Sequence, residues 1–304
     1  MIKIQDGDQN DNVKLFNYTR CLCLSFSLLV LASCNVENPI DGEQYIKQVY
    51  LVGAYDKLQG KEVAYGSERE IFVSVAIGGT VSLDHDVTIR LEQADYINID
   101  NYNKKNVVGD DIPYEAMPQE LYNIPSWEGT IKAGEEYVRI PIHIYADQVN
   151  CDKRYIIPLR IAEVSDYEPT PTDTVLMVNL KMVNEYSGTY IISGTNVRYE
   201  NDEPIVSETS SLNTPRTMIA VDQYTVRLFH KVESEELTNA DKAAMKLIVN
   251  PTDNTVTIEP WKDLPILKGG GTFDVEKHTF TIWYHYMENG KEYRTEATIV
   301  KNKS

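Results

Sequence analysis

Three tryptophans and a set of tyrosines are the side chains here with the clearest chemical potential. An indole or phenol ring packs against the C–H face of a sugar, while nearby carboxylates, amides and hydroxyls bond its rim. The chain holds 20 tyrosines and three tryptophans, Trp127, Trp261 and Trp283. In TFTIWYHYM, strand alternation puts Phe280, Ile282, Tyr284 and Tyr286 on one face and Thr281, Trp283 and His285 on the other. In NTVTIEPW, Val256 and Ile258 share one parity, and Trp261 falls with Thr255, Thr257 and Glu259, although Pro260 interrupts the alternation. Each indole has two readings, core packing or ligand contact, because tryptophan is highly buried on average. Trp127, Trp261 and Trp283 are therefore the candidate glycan-binding residues.

Other chemistries lack their motifs. The five histidines form no His-Glu-x-x-His, no Gly-x-Ser-x-Gly occurs, and KGGGTF (268–273) is followed by no Lys-Ser/Thr. KGGGTF reads as a flexible turn. DHD (84–86) and GDD (109–111) could offer oxygen ligands to calcium, but neither makes the spaced series of a calcium loop, and both read as solvated turns. No catalytic residue, metal site or cofactor is assigned, and the expected chemistry is binding.

A different chemistry is expected at Cys34. The run CLCLSFSLLVLASC (21–34) has no charged residue, follows Lys14 and Arg20, and is shorter than the roughly 20 apolar residues of a bilayer span. A basic flank and an apolar stretch of this length read as a secretory signal. The ending LASC resembles the bacterial lipobox. Its small residues suit a peptidase, and the Cys34 thiol would carry a diacylglyceryl group. An ordinary signal with an incidental cysteine is the alternative.

The formal net charge is −17. Removing residues 1–33 takes Lys3, Lys14 and Arg20 together with Asp6, Asp8 and Asp11, so the charge is unchanged. Such a chain repels phosphate backbones, which argues against nucleic acid as a partner. Of four cysteines only Cys151 remains after export and acylation. No intrachain disulfide is then available, and Cys151 reads as a partly buried structural thiol.

The elements that must position these groups are strands. Residues 35–44 lack periodicity and read as a tether. Period-two patterns follow. They place Ile71, Val73, Val75 and Ile77 on one face, then Val87, Ile89 and Leu91, then Val138, Ile140, Ile142 and Ile144, then Tyr155, Ile157, Leu159 and Ile161. Residues 174–184 are apolar on both faces and read as a central strand. Pro141 and Pro158 predict edges or bulges, since proline donates nothing to a ladder. Together these argue a β-sandwich. The polar excursion 100–127 breaks the pattern and is a candidate for function.

Near NEYSGTY a second β series begins, with a type I′ turn expected at Asn289-Gly290 and one helix-like stretch at 234–246. Sequential strands and tight turns argue a small up-and-down barrel. The expected organisation is a signal at 1–33, a tether at 34–44, a β-sandwich at 45–184 and a barrel at 185–304.

The phrase IKAGEEYVRIPIHIYADQVNCDKRYIIPLRIAEVS, with its Gly turn, strand, acidic loop and Tyr-x-x-Pro-Leu-x-Ile, resembles the N-terminal β-sandwich domain of Bacteroidetes surface lipoproteins. In some members that domain precedes a family-18 glycoside hydrolase domain. The tail from YSGTY to YRTEATIV is similar to the lipocalin-like C-terminal domain of shorter members. The resemblance implies an immunoglobulin-like sandwich followed by a lipocalin-like barrel. It also implies an outer-membrane, lipid-anchored, surface-exposed protein serving glycan capture, with a transporter complex as partner. The Asp-x-x-Asp-x-Asp-x-Glu strand of the hydrolase is missing. Glu37, Asp41 and Glu43 are spread out rather than clustered after the cysteine, which leaves the surface and periplasmic leaflets both open. The expected function is noncatalytic glycan binding as an accessory to polysaccharide uptake. The competing function is a surface adhesin or assembly component that binds protein through sheet edges.

Overall fold

The computed structural model describes residues 42–109, 111–231 and 233–302. Cys34, the signal segment and the tether up to residue 41 lie outside them. In chain order the first strands are β1 (Gln48–Leu51), β2 (Leu58–Ala64), β3 (Arg69–Gly78), β4 (Val87–Gln93), β5 (Tyr114–Ala116), β6 (Tyr122–Asn123), β7 (Glu128–Ile131), β8 (Tyr137–Ile144), β9 (Arg154–Val164), β10 (Glu168–Pro169) and β11 (Val175–Val183). They make two sheets, ordered β10-β1-β3-β8-β6 and β2-β11-β9-β4-β7, with β5 added alongside β9. The alternating apolar residues meet between the sheets. Val73, Val75, Ile140 and Ile142 from one pack in a single core with Val87, Ile89, Leu159 and Val178 from the other. This is the immunoglobulin-like sandwich, and its central strand β11 is the run that is apolar on both faces.

The second face of β9 and β11 has its own cover. Residues Ile97–Asn106 form a helix, which the sequence pattern does not indicate. Only Ile99 of this helix is buried, so no 3.6-residue apolar period exists to announce it. Ile99 and Tyr114 pack on Ile156 and Met177, residues that alternation alone would turn to solvent. The first part of the 100–127 excursion is thus a structural lid on the sheet.

The two prolines differ. Pro141 lies on β8 beyond the reach of short β6, which pairs only at His143 and Ile144, so it sits on a free edge. Pro158 lies on an inner strand with no bulge at its position, contrary to the sequence expectation. Beside it β4 ends at Gln93, and β5 pairs with β9 only as far as Ile156, so the missing N–H falls in the gap between these two neighbours. The Pro158 carbonyl still accepts from Ala94 N–H at 2.9 Å.

The remaining strands are β12 (Gly188–Glu200), β13 (Glu203–Ala220), β14 (Thr225–Phe229), β15 (Ala244–Val249), β16 (Thr255–Pro260), β17 (Ile266–Asp274), β18 (Thr279–Glu288) and β19 (Lys291–Lys301). They form a closed barrel in sequential order, with β12 pairing back to β19. Phe280, Ile282, Tyr284 and Tyr286 fill its interior with Tyr190, Leu228 and Leu247. Asn289 and Gly290 both take positive φ, as the type I′ turn requires.

KGGGTF is not a turn. Its glycines run through the middle of β17. An added Cβ at Gly271 would lie 2.2 Å from the Thr281 carbonyl oxygen, and one at Gly269 would lie 2.8 Å from Tyr284 Cβ. Glycine is present because the backbones approach closely, which sequence alone cannot distinguish from flexibility. The helix-like stretch at 234–246 reduces to a 3-10 turn at Leu237–Asn239 and one helical turn at Ala240–Ala243, after which β15 begins.

Candidate functional site

The barrel's outer surface over β17, β18, β19 and β12 is an ordered array. Strand register aligns its outward residues into three rows that cross the strands. One row is Gly270, Trp283, Glu296 and Thr195, and the next is Thr272, Thr281, Thr298 and Ser193. The third is Lys268, His285, Arg294 and Val197. A single aromatic thus stands between a row of hydroxyls and a row containing two cations.

Trp283 is 37% exposed, as its parity predicts. The Arg294 guanidinium carbon lies 5.4 Å from its ring centroid, on the β19 side, and Arg294 Nη2 bonds Glu296 Oε1 at 2.5 Å. The His285 ring stands edge-on at 6.0 Å. His285 shares the outward parity of Trp283 but is buried. Tyr199 folds over it at 5.0 Å, and its Nδ1 lies 2.6 Å from Glu292 Oε1. It supports the indole from below rather than facing solvent. A shallow hollow of about 360 Å³ runs beside Trp283, lined by Ser193, Thr195, Arg294, Glu296 and Thr298 among others. Among the described residues the Trp283 indole N–H and the hydroxyls of Thr272, Thr281 and Thr298 have no hydrogen-bond partner. They are therefore free to bond a ligand.

The other two tryptophans are taken up by packing. Trp261 follows the end of β16 and joins Phe229, Ala240, Ala243 and Ala244 in a small cluster at the short helix. Its backbone N–H donates to the Ala244 carbonyl at 3.0 Å, and the Arg227 guanidinium carbon lies 4.8 Å from its ring centroid. Pro260 ends the alternation, so the polar parity of Thr255, Thr257 and Glu259 does not carry on to Trp261. Trp127 is half-buried against the sandwich core. Its carbonyl accepts from Leu91 N–H at 2.8 Å. No lining or ring contact brings Trp261 or Trp127 together with Trp283 among the described residues.

Two larger hollows, of about 620 and 630 Å³, lie near Cys151 and Arg154. Their size is greater, but their cations are engaged. Arg227 is held by Asp152, and Arg154 bonds the Ile112 carbonyl and the Tyr114 hydroxyl. Cys151 is half-buried there, and burial pushes its thiol up to about 11, which disfavours the thiolate at neutral pH. Asp86 of DHD accepts from Lys132 Nζ at 2.7 Å and from Ala133 N–H at 3.0 Å, the bonding of a solvated turn.

Comparison with known proteins divides the chain slightly earlier, so that β11 falls in the C-terminal match. One family model, for an N-terminal domain, matches residues 45–168, and a second, for a C-terminal domain, matches residues 174–300. Together the two matches span residues 45–300 except 169–173. Among solved structures, a multidomain protein including DUF1735 from Bacteroides ovatus superposes with a TM-score of 0.62 at 15% identity, over 84% of this chain and 94% of that one. A protein of unknown function from the same species gives 0.56 at 16% identity, over 83% and 90%. An auxiliary nutrient binding protein from Bacteroides thetaiotaomicron gives 0.57 at 18% identity, over 81% and 91%. At these identities the likeness establishes the fold. No curated protein matches the chain.

Proposed function

We propose that this chain is a noncatalytic glycan-binding protein, lipid-anchored at the outer membrane and accessory to polysaccharide uptake. Exposed Trp283 carries the reading. It is the most exposed tryptophan among the described residues, and it stands beside unpartnered hydroxyls on the outer face of the barrel. Large apolar groups held in water usually mark a contact surface. The fold shared with an auxiliary nutrient binding protein agrees with this role.

Trp283→Ala is expected to weaken polysaccharide binding about tenfold, or about 1–2 kcal/mol. It should change folding stability by less than about 1 kcal/mol, as surface substitutions do. A thermal melt beside affinity electrophoresis checks both. A loss of about 3–5 kcal/mol in stability would instead return Trp283 to the core.

The anchor is a proposal from sequence, resting on LASC after the apolar run. Cys34→Ala should move the protein from the membrane fraction to the soluble fraction. Fatty-acid labelling that persists in the variant would remove the anchor from the account.

The second reading, a protein partner docked on a sheet edge, has one observation in its favour. β14 pairs with long β13 only at Ile219 and Ala220. Thr217 N–H, which faces away from β12, is taken by the Glu235 carboxylate at 2.8 Å. By alternation the N–H groups of Thr209, Ser211 and Asn213 face the same way, with no strand beside them among the described residues. The open edge is long, residues 203–214, but it carries mostly polar side chains and is bounded by Pro215, a residue that blunts edges. The exposed indole of Trp283 is the more specific recognition feature, and the glycan reading is preferred for that reason.

A further inference from the structure

Three consecutive glycines in a β-strand are costly, because each gives up more chain entropy than any other residue and packs nothing. Gly269 and Gly271 are required by close approach to β18. Gly270 is different. Its Cβ would point to the outer face, and the nearest atom it would meet is the Val256 carbonyl oxygen at 3.4 Å, an ordinary contact. Its φ lies outside the left-handed region that favours glycine. Neither packing nor backbone conformation asks for glycine at 270.

Its register supplies the reason. Gly270 lies directly across from Trp283. Arg294 on β19 sets its guanidinium carbon 5.4 Å from the indole centroid, whereas on β17 Gly270 sets no side chain across from Trp283. Lys268 and Thr272, two residues away on either side, bound the gap along β17, and Thr281 lies on the diagonal. These exposed groups offer an ammonium and two hydroxyls around a stretch of β17 that carries no side chain, across from the indole and on the other side of β18 from the hollow lined by Arg294 and Glu296.

Building on the glycan reading, we propose that Gly270 is a specificity-determining residue and that the gap above it is a subsite for one uncharged pyranose unit. The sugar ring stands against the β17 side of Trp283, its C–H face on the indole. Its hydroxyls bond Lys268 Nζ and the Thr272 and Thr281 hydroxyls. A net charge of −17 repels polyanions, which makes a neutral polysaccharide the matching ligand class rather than a uronate-rich one.

The test uses Gly270→Thr, with Gly270→Ala as a smaller change and Trp283→Ala as reference. The probes are three soluble neutral polysaccharides (laminarin, arabinoxylan and yeast mannan) and polygalacturonate as the acidic control. Threonine is a better strand former than glycine, so Gly270→Thr should melt at or above the wild-type temperature. It should bind the retained neutral polysaccharide about tenfold more weakly. Gly270→Ala should fall between it and wild type. Acrylamide quenching of Trp283, taken as the difference from a Trp283→Phe protein, should drop in Gly270→Thr with no ligand present, because the added side chain covers the indole. If Gly270→Thr binds as wild type while Trp283→Ala does not, the subsite is overturned and the Trp283 reading stands. Unchanged acrylamide access in Gly270→Thr would also overturn it. If wild type is retained by polygalacturonate alone, the neutral class is wrong. If no polysaccharide is retained, or Trp283→Ala leaves retention unchanged, the glycan reading itself fails and takes the subsite with it.

Discussion

Replacing Asp152 with alanine should destabilise the protein by about 3 kcal/mol or more, the usual result of stripping a buried charge of its partner. Arg227 on β14 is 3% exposed, and its Nη1 donates to the Asp152 carboxylate. Its Nε finds no partner among the described residues, and the Trp261 ring centroid lies 4.8 Å from its guanidinium carbon. Removing Asp152 leaves the guanidinium, 3% exposed, without its ion-pair partner at the wall of the hollow of about 620 Å³. Asp152 belongs to the loop between β8 and β9, and Arg227 to the barrel, so the pair also ties the two halves of the chain together. A second substitution distinguishes this from loss of packing. In an Asp152→Ala, Arg227→Met protein no charge is left to desolvate, and much of the lost stability should return. Urea denaturation of wild type, single and double variants gives the answer. A single variant within about 1 kcal/mol of wild type would show that Arg227 is better solvated than its burial indicates.

Acid should weaken the barrel through His230. This residue is 5% exposed, and burial pushes its imidazole down to about 4, helped by neighbouring Lys231 and Arg216 and opposed by Glu288. Tyr286 packs edge-on at 5.1 Å and Tyr284 lies at 6.4 Å, so aromatic rings rather than a carboxylate face the imidazole. In the unfolded chain the same side chain takes a proton near pH ~6.5. Between these values the unfolded state binds more protons than the folded one, so stability rises with pH across this range. The contribution is fully present above pH ~6.5 and is lost as pH falls towards ~4, for a total of about 3 kcal/mol. His230→Phe keeps a ring against Tyr286 and has nothing to protonate. Its stability should fall less steeply than wild type over the same acid range, whatever the surface carboxylates contribute to both proteins. Parallel stability curves for the two proteins would refute a buried neutral His230.

Much of this architecture is legible from alternation. The faces of β3, β4, β8 and β18 are those that period-two reading assigns, because each strand has one wet and one dry side. The reading fails where a strand has cover on both sides. Ile156 looks outward by parity, and only the helix at Ile97–Asn106 explains its burial. That helix draws its stability from docking a few residues and leaves no periodic signal. Glycine is the other blind spot. A run of three suits a loop in any one-dimensional reading, and it takes the distance from Gly271 to the Thr281 carbonyl to show a strand.

The site is partly visible for the same reasons. Trp283 follows parity because β18 runs unbroken through it. Trp261 departs from parity because Pro260 ends its strand, and Trp127 sits on a connection with no alternation to follow. The rows of hydroxyls beside Trp283 come from four strands distant in sequence, and only the register brings Thr272, Thr281, Thr298 and Ser193 into line.

Three tryptophans give three indole N–H resonances, and this makes the central claim directly measurable. Residues 35–304, labelled with nitrogen-15, can be titrated with oligosaccharides cut from whichever neutral polysaccharide the protein retains. Each resonance is assigned by its loss in the matching Trp→Phe protein. The Trp283 indole resonance should shift on titration, while those of Trp127 and Trp261, held in packing, stay in place. A titration that moves Trp261 or Trp127 and leaves Trp283 unmoved would contradict binding on the outer face of the barrel.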